Sequence, residues 1–539
     1  MHYRFIRDSF WGRLAYHISG HRFFAHKEEQ KGYIIPQKYL APVSSSEVSK
    51  ECSVEEETFS QADSPNDKRI IVDWDGEDDP ENPYNWPIFH KVFFISEIAF
   101  LTGSVYIGSA VYTPGVDQMM EDWGISRVQA TLPLSLFVIG YGIGPMILAP
   151  FSENVTIGRT YIYIITLFIF VILQIPTALA PNIASLCVLR LIGGFISSAA
   201  LATGGGSVGD VITFPYIPIG LASWSTAIVV GPSLGPLIGS VFVQLVGWRW
   251  TFWFMAILSG VSFLSLSFFL PESSSATLLY RKAKRLRALT NNENIVSEGE
   301  ISNMNVTPRE LLVNTLWRPI EISFFEPIVF FINLYIGMVY SVTYLWFEGF
   351  PILFLETYHF NLIEMGTTFV GILIGCSLSA MFYIPVTYRI FTVKVLAGEE
   401  MVPEVFLPLS IVGSVFMPIG IFIFGWSATA SAHWIGPVIG SAIFVFGSFI
   451  TFQTLFNYLS FSFRRYLASV FAGNVLFRGA LAGCFPLFGA DLFNNLATSK
   501  YPVAWGTSIL GFICVAMIGI PVIFNWRGPA FRTRSRYSG

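Results

Sequence analysis

From Lys91 onward, apolar blocks of about twenty residues alternate with short polar breaks, and each block is long enough to cross a hydrocarbon core of about 30 Å as a helix. The pattern predicts twelve spans, at 91–113, 127–149, 160–180, 183–209, 217–244, 249–270, 326–350, 363–386, 404–426, 433–458, 467–490 and 503–525. These divide the chain into a polar N-terminal region (1–90), six spans (91–270), a polar middle loop (271–325), six more spans (326–525) and a basic tail (526–539). Six helices, a loop and six helices are expected of a duplicated bundle with a cavity between its halves, although no exact repeat is visible between them.

Composition removes most alternatives. Of 539 residues, 53% are hydrophobic and only 13% charged, against about 25% charged in soluble domains, which excludes an ordinary soluble enzyme. The net charge of -4 is too small to imply a nucleic-acid partner, so the placement of charges carries the information. With both ends cytoplasmic, all but five of the 32 Lys and Arg fall on cytoplasmic segments. The exceptions are Arg127, Arg249 and Lys500 on outer loops, and Arg190 and Arg478 inside spans. The positive-inside rule therefore favours this orientation, most clearly at the run RKAKRLR (Arg281 to Arg287). The sequons at Asn154 and Asn305 then face the cytoplasm and stay unglycosylated. No short apolar core with a small-residue cleavage site precedes the first strongly apolar run near residue 92, so the first span is expected to act as an uncleaved anchor. Five cysteines without paired spacing read as packing residues, with no disulfide framework.

In the polar N-terminal region, Ile6, Phe10, Leu14 and Ile18 recur every four residues among arginines, predicting an amphipathic helix over 1–24 on an anionic inner leaflet; a tail with chance spacing is the alternative. Residues 43–69, rich in Ser, Glu and Asp, read as flexible. The acidic run IVDWDGEDDPENPYNWP (Ile71 to Pro87) lacks the spacing of a calcium loop and reads as an extended lead-in packed on the inner face. No metal site is expected. GYGIGP (Gly140 to Pro145) and GGGSVGD (Gly204 to Asp210) follow no strand, and no GxxxxGK[ST] loop exists, so no cofactor and no ATP are expected.

The fifth span carries the most specific motif: Ala227, then GPSLGPLIG, with Gly231, Gly235 and Gly239 on one smooth helix face and Pro232 and Pro236 bending it. At these six positions the chain resembles the antiporter motif of fungal drug:proton antiporters with twelve spans, within the major facilitator superfamily. WRWTFWF (Trp248 to Phe254), LPE (Leu270 to Glu272) and LLYRKAKRLR (Leu278 to Arg287) extend the likeness. The opening MHYRFIRDSFWGR and closing ATSKYPVAWG resemble the yeast benomyl and methotrexate resistance branch. The resemblance implies an all-α major-facilitator fold in a fungal plasma membrane, and export of varied, largely apolar small-molecule drugs in exchange for protons. A monomer in the lipid bilayer is expected.

By the same resemblance Ala149, Glu153, Gly158 and Arg159 fill the family's loop motif between spans 2 and 3, with two extra residues before Gly158. Arg159 opens span 3 and Asp210 closes span 4, so the two are expected to pair as a cytoplasmic gate that latches the outward-open state; an exposed pair worth about 0–1 kcal/mol is the alternative. Arg190 resembles the family's buried arginine. A charge inside the membrane costs about 2.5–3.5 kcal/mol on insertion scales, so Arg190 should face the interior and disfavour protonation of a nearby carboxylate, unless it snorkels to the outer interface. Asp210, about 30 Å further along the same helix, cannot be that partner.

Among the acids in or near spans (Glu97, Glu326, Glu348, Asp491), Glu348 reads as the protonatable group near the cavity, with an interfacial carboxylate as the alternative. Arg478, a second intramembrane charge, is expected to meet a carboxylate across the bundle and to join Arg190 and Glu348 in proton coupling. Tyr335, Tyr340, Tyr344, Phe347 and Phe485 are candidates for lining a drug cavity, since aromatic faces suit flat apolar ligands and cations. Rival readings are a proton-coupled transporter of a narrower substrate (polyamine, weak acid or nutrient), a transport-dead receptor, and a membrane enzyme. The enzyme is disfavoured because no nucleophile-base or metal-ligand cluster is apparent.

Overall fold

A computed structural model of the chain describes residues 4–30, 32–40, 69–304, 310 and 313–537. Among these residues, twelve helical segments are long and apolar enough to span a membrane: Ile88–Trp123, Arg127–Glu153, Arg159–Ala178, Ile183–Val211, Phe214–Val246, Arg249–Phe269, Pro327–Thr357, Leu362–Leu396, Pro403–Ser427, Ile435–Ser462, Leu467–Leu496 and Ala504–Arg532. The predicted number and order of spans are therefore observed, in a multi-pass membrane protein. Spans 1, 8 and 12 run farther than hydropathy predicts, because backbone hydrogen bonding continues past the point where side chains turn polar. Span 12 takes in much of the expected tail, where Arg532 closes a two-point ion pair with Glu404. The expected sequon at Asn305, Cys52 and the flexible stretch 43–69, apart from Arg69, lie outside the described residues.

A hydrocarbon interior offers backbone groups no water, so helices must satisfy themselves and their ends need caps. Ser126 and Gln129 form a capping box at the start of span 2, and Asn361 and Glu364 do so in span 8. Packing then reveals the duplication that the letters do not. Span 1 packs on 5, span 2 on 4 and span 3 on 6; in the second half span 7 packs on 11, span 8 on 10 and span 9 on 12. The halves meet through span 2 against 11 and span 5 against 8, two contacts that a two-fold axis would exchange.

The polar segments form a cap on the face that carries both termini. Residues 1–24 do not form one helix: short helices at Arg4–Arg7 and Phe10–Ile18 are separated where Ser9 caps the second. This second helix docks on protein, with Trp11 Nε1 donating to Ser267 and its ring stacked on Phe268, and with Arg13 over the Tyr161 ring. The acidic lead-in also packs inward, where Trp86 is buried against Phe94. The middle loop contributes a helix at Ser275–Thr290, and Ile295–Val296 pairs in parallel with Ile70–Ile71. The basic run thereby meets acids: Arg281 binds Glu272, Lys282 binds Asp75, Arg285 binds Glu28 and Arg287 binds Glu300.

This cap is expected to loosen in acid. Burial, with Arg285 and Arg7 nearby, pushes His26 down to about 2, so below pH 6.5 the undocked segment takes up a proton that the docked one refuses. Burial would raise Asp75, but hydrogen bonds from Lys282 and Lys27 outweigh it and hold the carboxyl below its usual range. Its contribution is present above about pH 4 and is lost as pH falls through the lowered value. Both signs agree. Opening of residues 10–30 should rise by up to about tenfold per pH unit below 6, read by hydrogen exchange corrected for intrinsic rates.

Candidate functional site

The fifth-span motif places its glycines directly against span 1. A methyl group at Gly231 would lie 2.7 Å from Tyr106 Cβ, one at Gly235 2.9 Å from the Val111 nitrogen, and one at Gly239 1.9 Å from the Val111 carbonyl oxygen. Such distances hold only for hydrogen, so the two backbones touch along this face. Ala227 begins the contact, with its Cβ 3.9 Å from where a methyl on Gly103 would stand. The helix of span 5 runs unbroken through Pro232 and Pro236, from Ile217 to Val246. The first helix of span 1, by contrast, stops at Ala110 before a short turn at Thr113–Gly115.

Arg190 meets span 1 at that stop. It is buried, and its Nη1 donates to Gly108 O at 2.6 Å, Nη2 to Ser109 O at 2.7 Å and Nε to Pro133 O at 3.3 Å. The Phe137 ring lies 4.2 Å from the guanidinium. Among the described residues no carboxylate touches it, which corrects the expected carboxylate partner, and burial removes the snorkelling alternative. The charge is instead satisfied by carbonyls, two of them in the last turn of the first helix of span 1, where the dipole is negative, and one inside span 2.

On the face opposite the termini, Arg127 at the start of span 2 reaches across to Glu348 near the end of span 7. Arg127 Nε donates to Glu348 Oε2 at 3.0 Å and Thr131 Oγ1 to Oε1 at 3.0 Å, and the carboxylate is buried. Phe347 and Glu348 line a cleft with Pro114, Asp117 and Arg127, so the pair sits in the seam between halves. Sequence reading found Glu348 but not its partner. The available signal was the rarity of basic residues on that face, where Arg249 is the other to find an acid, Asp122.

On the terminal face Arg159 and Asp210 pair as expected, through Nε to Oδ2 at 2.5 Å and Nη2 to Oδ1 at 3.1 Å. The guanidinium lies over Gly206, where a methyl would stand 2.4 Å away, and Ser273 also donates to Asp210. Both partners belong to the first half, so the pair braces that half and is not itself a bolt between halves. Glu153 is exposed and makes no ion pair among the described residues. The acid that acts at this loop is Glu272, which accepts from the backbone N–H of Arg159 and Thr160 at the start of span 3, a natural seat for an anion. Gly158, at φ +81°, leaves room for that carboxylate, which a methyl would meet at 2.3 Å. Contacts that do join the halves here are Thr392 Oγ1 to Pro215 O and the rings of Phe214, Phe391 and Phe461.

In the middle of the bundle Arg478 is buried over the Tyr340 ring at 4.3 Å, with Phe452 at 5.6 Å. The expected carboxylate across the bundle is replaced by aromatic rings. Tyr344 reaches Ser109 of the first half, and its ring packs edge-on to Phe347. Tyr335 lies on another side of span 7, beside Ser414 and Cys514, and the half-buried Phe485 packs on exposed Phe488, so neither joins this cluster. Tyr106 and Tyr141, which sequence reading passed over, face Arg478 from the first half.

Residues 98–486 match the family model described as Major Facilitator Superfamily. The chain is 52% identical to the cycloheximide resistance protein of Candida maltosa, over 99% of both chains. It is 41% identical to the transporter mfs1 of Schizosaccharomyces pombe, again over 99% of both, and 42% identical to the fluconazole resistance protein 1 of Saccharomyces cerevisiae, over 87% of this chain and 85% of that one. Among solved structures, the xylose transporter XylE from E. coli aligns with a TM-score of 0.54 at 17% identity, covering 81% of this chain and 99% of that one.

Proposed function

The chain belongs to the Major Facilitator Superfamily, and from that premise we propose that it exports varied, largely apolar drugs from the cytoplasm in exchange for protons. The relatives named for cycloheximide and fluconazole resistance support the drug class, and the basic residues crowded on the terminal face support placing that face in the cytoplasm of a fungal plasma membrane.

The observation that carries the coupling is the buried Glu348, held by Arg127 and Thr131 of the other half. With the outer seam open and the strut broken, drug leaves outward and Glu348 takes a proton from outside. As the two halves rock back about the aromatic centre, Arg127 displaces that proton toward the cytoplasm, and the re-formed strut holds the outer seam shut until drug binds again. One proton moving down one pH unit and 100 mV releases about 3.7 kcal/mol, enough for a roughly 500-fold gradient of a neutral drug. One proton per cycle suffices.

The test is efflux of an apolar dye from cells lacking their own pumps, at matched surface amounts. Wild-type efflux should stop with a protonophore, and Glu348→Gln should fall at least tenfold while purified protein still binds dye. Protonophore-sensitive efflux that persists in Glu348→Gln removes the carboxylate from the coupling.

A further inference from the structure

Charge and hydrogen-bond accounting at the centre of the bundle points to a substrate class. Arg478 is 1% exposed, yet its Nε and Nη2 have no hydrogen-bond partner. The hydroxyls of Tyr106 and Tyr340, also buried, lack partners as well. Buried polar groups are almost always satisfied, and a guanidinium that cannot shed its proton is the costliest to leave alone. Two other arginines of the helical bundle are satisfied: Arg190 has three carbonyls and Arg159 a carboxylate. Among these three arginines Arg478 is the departure.

Its position explains what the departure serves. Gly479 meets Gly142 at a separation that a methyl on Gly142 would reduce to 3.1 Å, so spans 2 and 11 touch and bring Tyr141 and Arg478 together from opposite halves. Tyr340 lies under the guanidinium, and Tyr344 hydrogen-bonds Ser109 across the same seam. Donors from both halves thus converge where rocking halves would part around a substrate. No ion pair neutralises Arg478 among the described residues, and Glu348 is already occupied by Arg127.

We propose that Arg478 and the tyrosines around it form a subsite for acceptor oxygens of neutral or anionic flat compounds, and that this subsite disfavours permanent cations. The subsite rests on the exporter reading above. Aromatic faces take the apolar body, as they would for a cation, but the fixed positive fork reverses the charge preference that an aromatic cage alone would have. The guanidinium is a specificity-determining group, with no part in carrying the proton.

The experiment uses two dyes that share a xanthene ring system, anionic fluorescein and the permanently cationic tetramethylrhodamine methyl ester, binding to purified full-length protein by fluorescence anisotropy. Wild type should prefer fluorescein by tenfold or more, Arg478→Gln should lose that preference, and Arg478→Lys, which keeps the charge, should retain part of it. Equal affinity for both dyes in wild type, binding of neither, or the same preference in Arg478→Gln overturns the proposal. Failure of the exporter reading is read separately, as absence of dye export by wild-type protein in liposomes while the binding preference stands.

Discussion

Replacing Arg190 with alanine is expected to abolish export and to lower the unfolding temperature of the purified protein, and lysine should restore neither. The guanidinium ties span 4 to the end of the first helix of span 1 and to span 2 through Gly108, Ser109 and Pro133 carbonyls. Alanine leaves these acceptors without the donor, at about 1–3 kcal/mol for each that stays buried and unsatisfied. Polar contacts within membranes average nearer 0.6 kcal/mol, so a total loss of about 2–4 kcal/mol is expected. Lysine keeps the charge but is a point donor, and cannot span acceptors on two helices as a planar fork does. Dye efflux at matched surface amounts and thermal unfolding in detergent read the two losses. Full activity in Arg190→Lys would mean that charge alone matters there and that the three-carbonyl clamp does not.

The span-five glycines should show graded intolerance set by distance. At Gly239 an added methyl meets the Val111 carbonyl oxygen at 1.9 Å, against backbone that has nowhere to go; at Gly231 and Gly235 it meets Tyr106 Cβ and the Val111 nitrogen at 2.7 and 2.9 Å. Overpacking costs about 1–3 kcal/mol and sometimes more, so Gly239→Ala should cost most and reduce export at least tenfold. Gly209 and Gly260 are controls, since a methyl there meets nothing within 4 Å. Alanine at either should be neutral or stabilise by up to about 1 kcal/mol, through helix propensity. Thermal unfolding of the five single variants ranks them. If Gly239→Ala behaves like Gly260→Ala, span 5 does not press on span 1 as described.

Twelve spans were legible because a hydrocarbon solvent enforces length and polarity with little latitude. The span-five motif was legible because glycine at every fourth position has one geometric use, and the partner supplied by the fold was span 1. Arg190 and Arg478 could be found as charges in apolar blocks, but not what they touch. One binds backbone carbonyls and the other aromatic faces, and neither kind of partner leaves a charge in the sequence to match. The Glu348 partner was hidden differently: Arg127 lies 221 residues away, in the other half. At the loop after span 2, reading Glu153 by analogy missed Glu272, which approaches from beyond span 6. The glycine-rich stretch before Asp210 reads in the structure as room, since Gly204 lies under Trp224 and Gly206 under Arg159.

The short parallel pairing of Ile70–Ile71 with Ile295–Val296 sets a timetable for biogenesis. The strand at residue 70 leaves the ribosome about 225 residues before its partner, so at 5–20 residues per second the N-terminal segment waits roughly 10–45 s. During that interval six spans must enter the membrane. Its other partners, Lys282 and Arg285, are also made before residue 300, so the segment can close over the first six helices while the last six are still untranslated. The cap is thus a seal on one half, formed before the seam between halves exists.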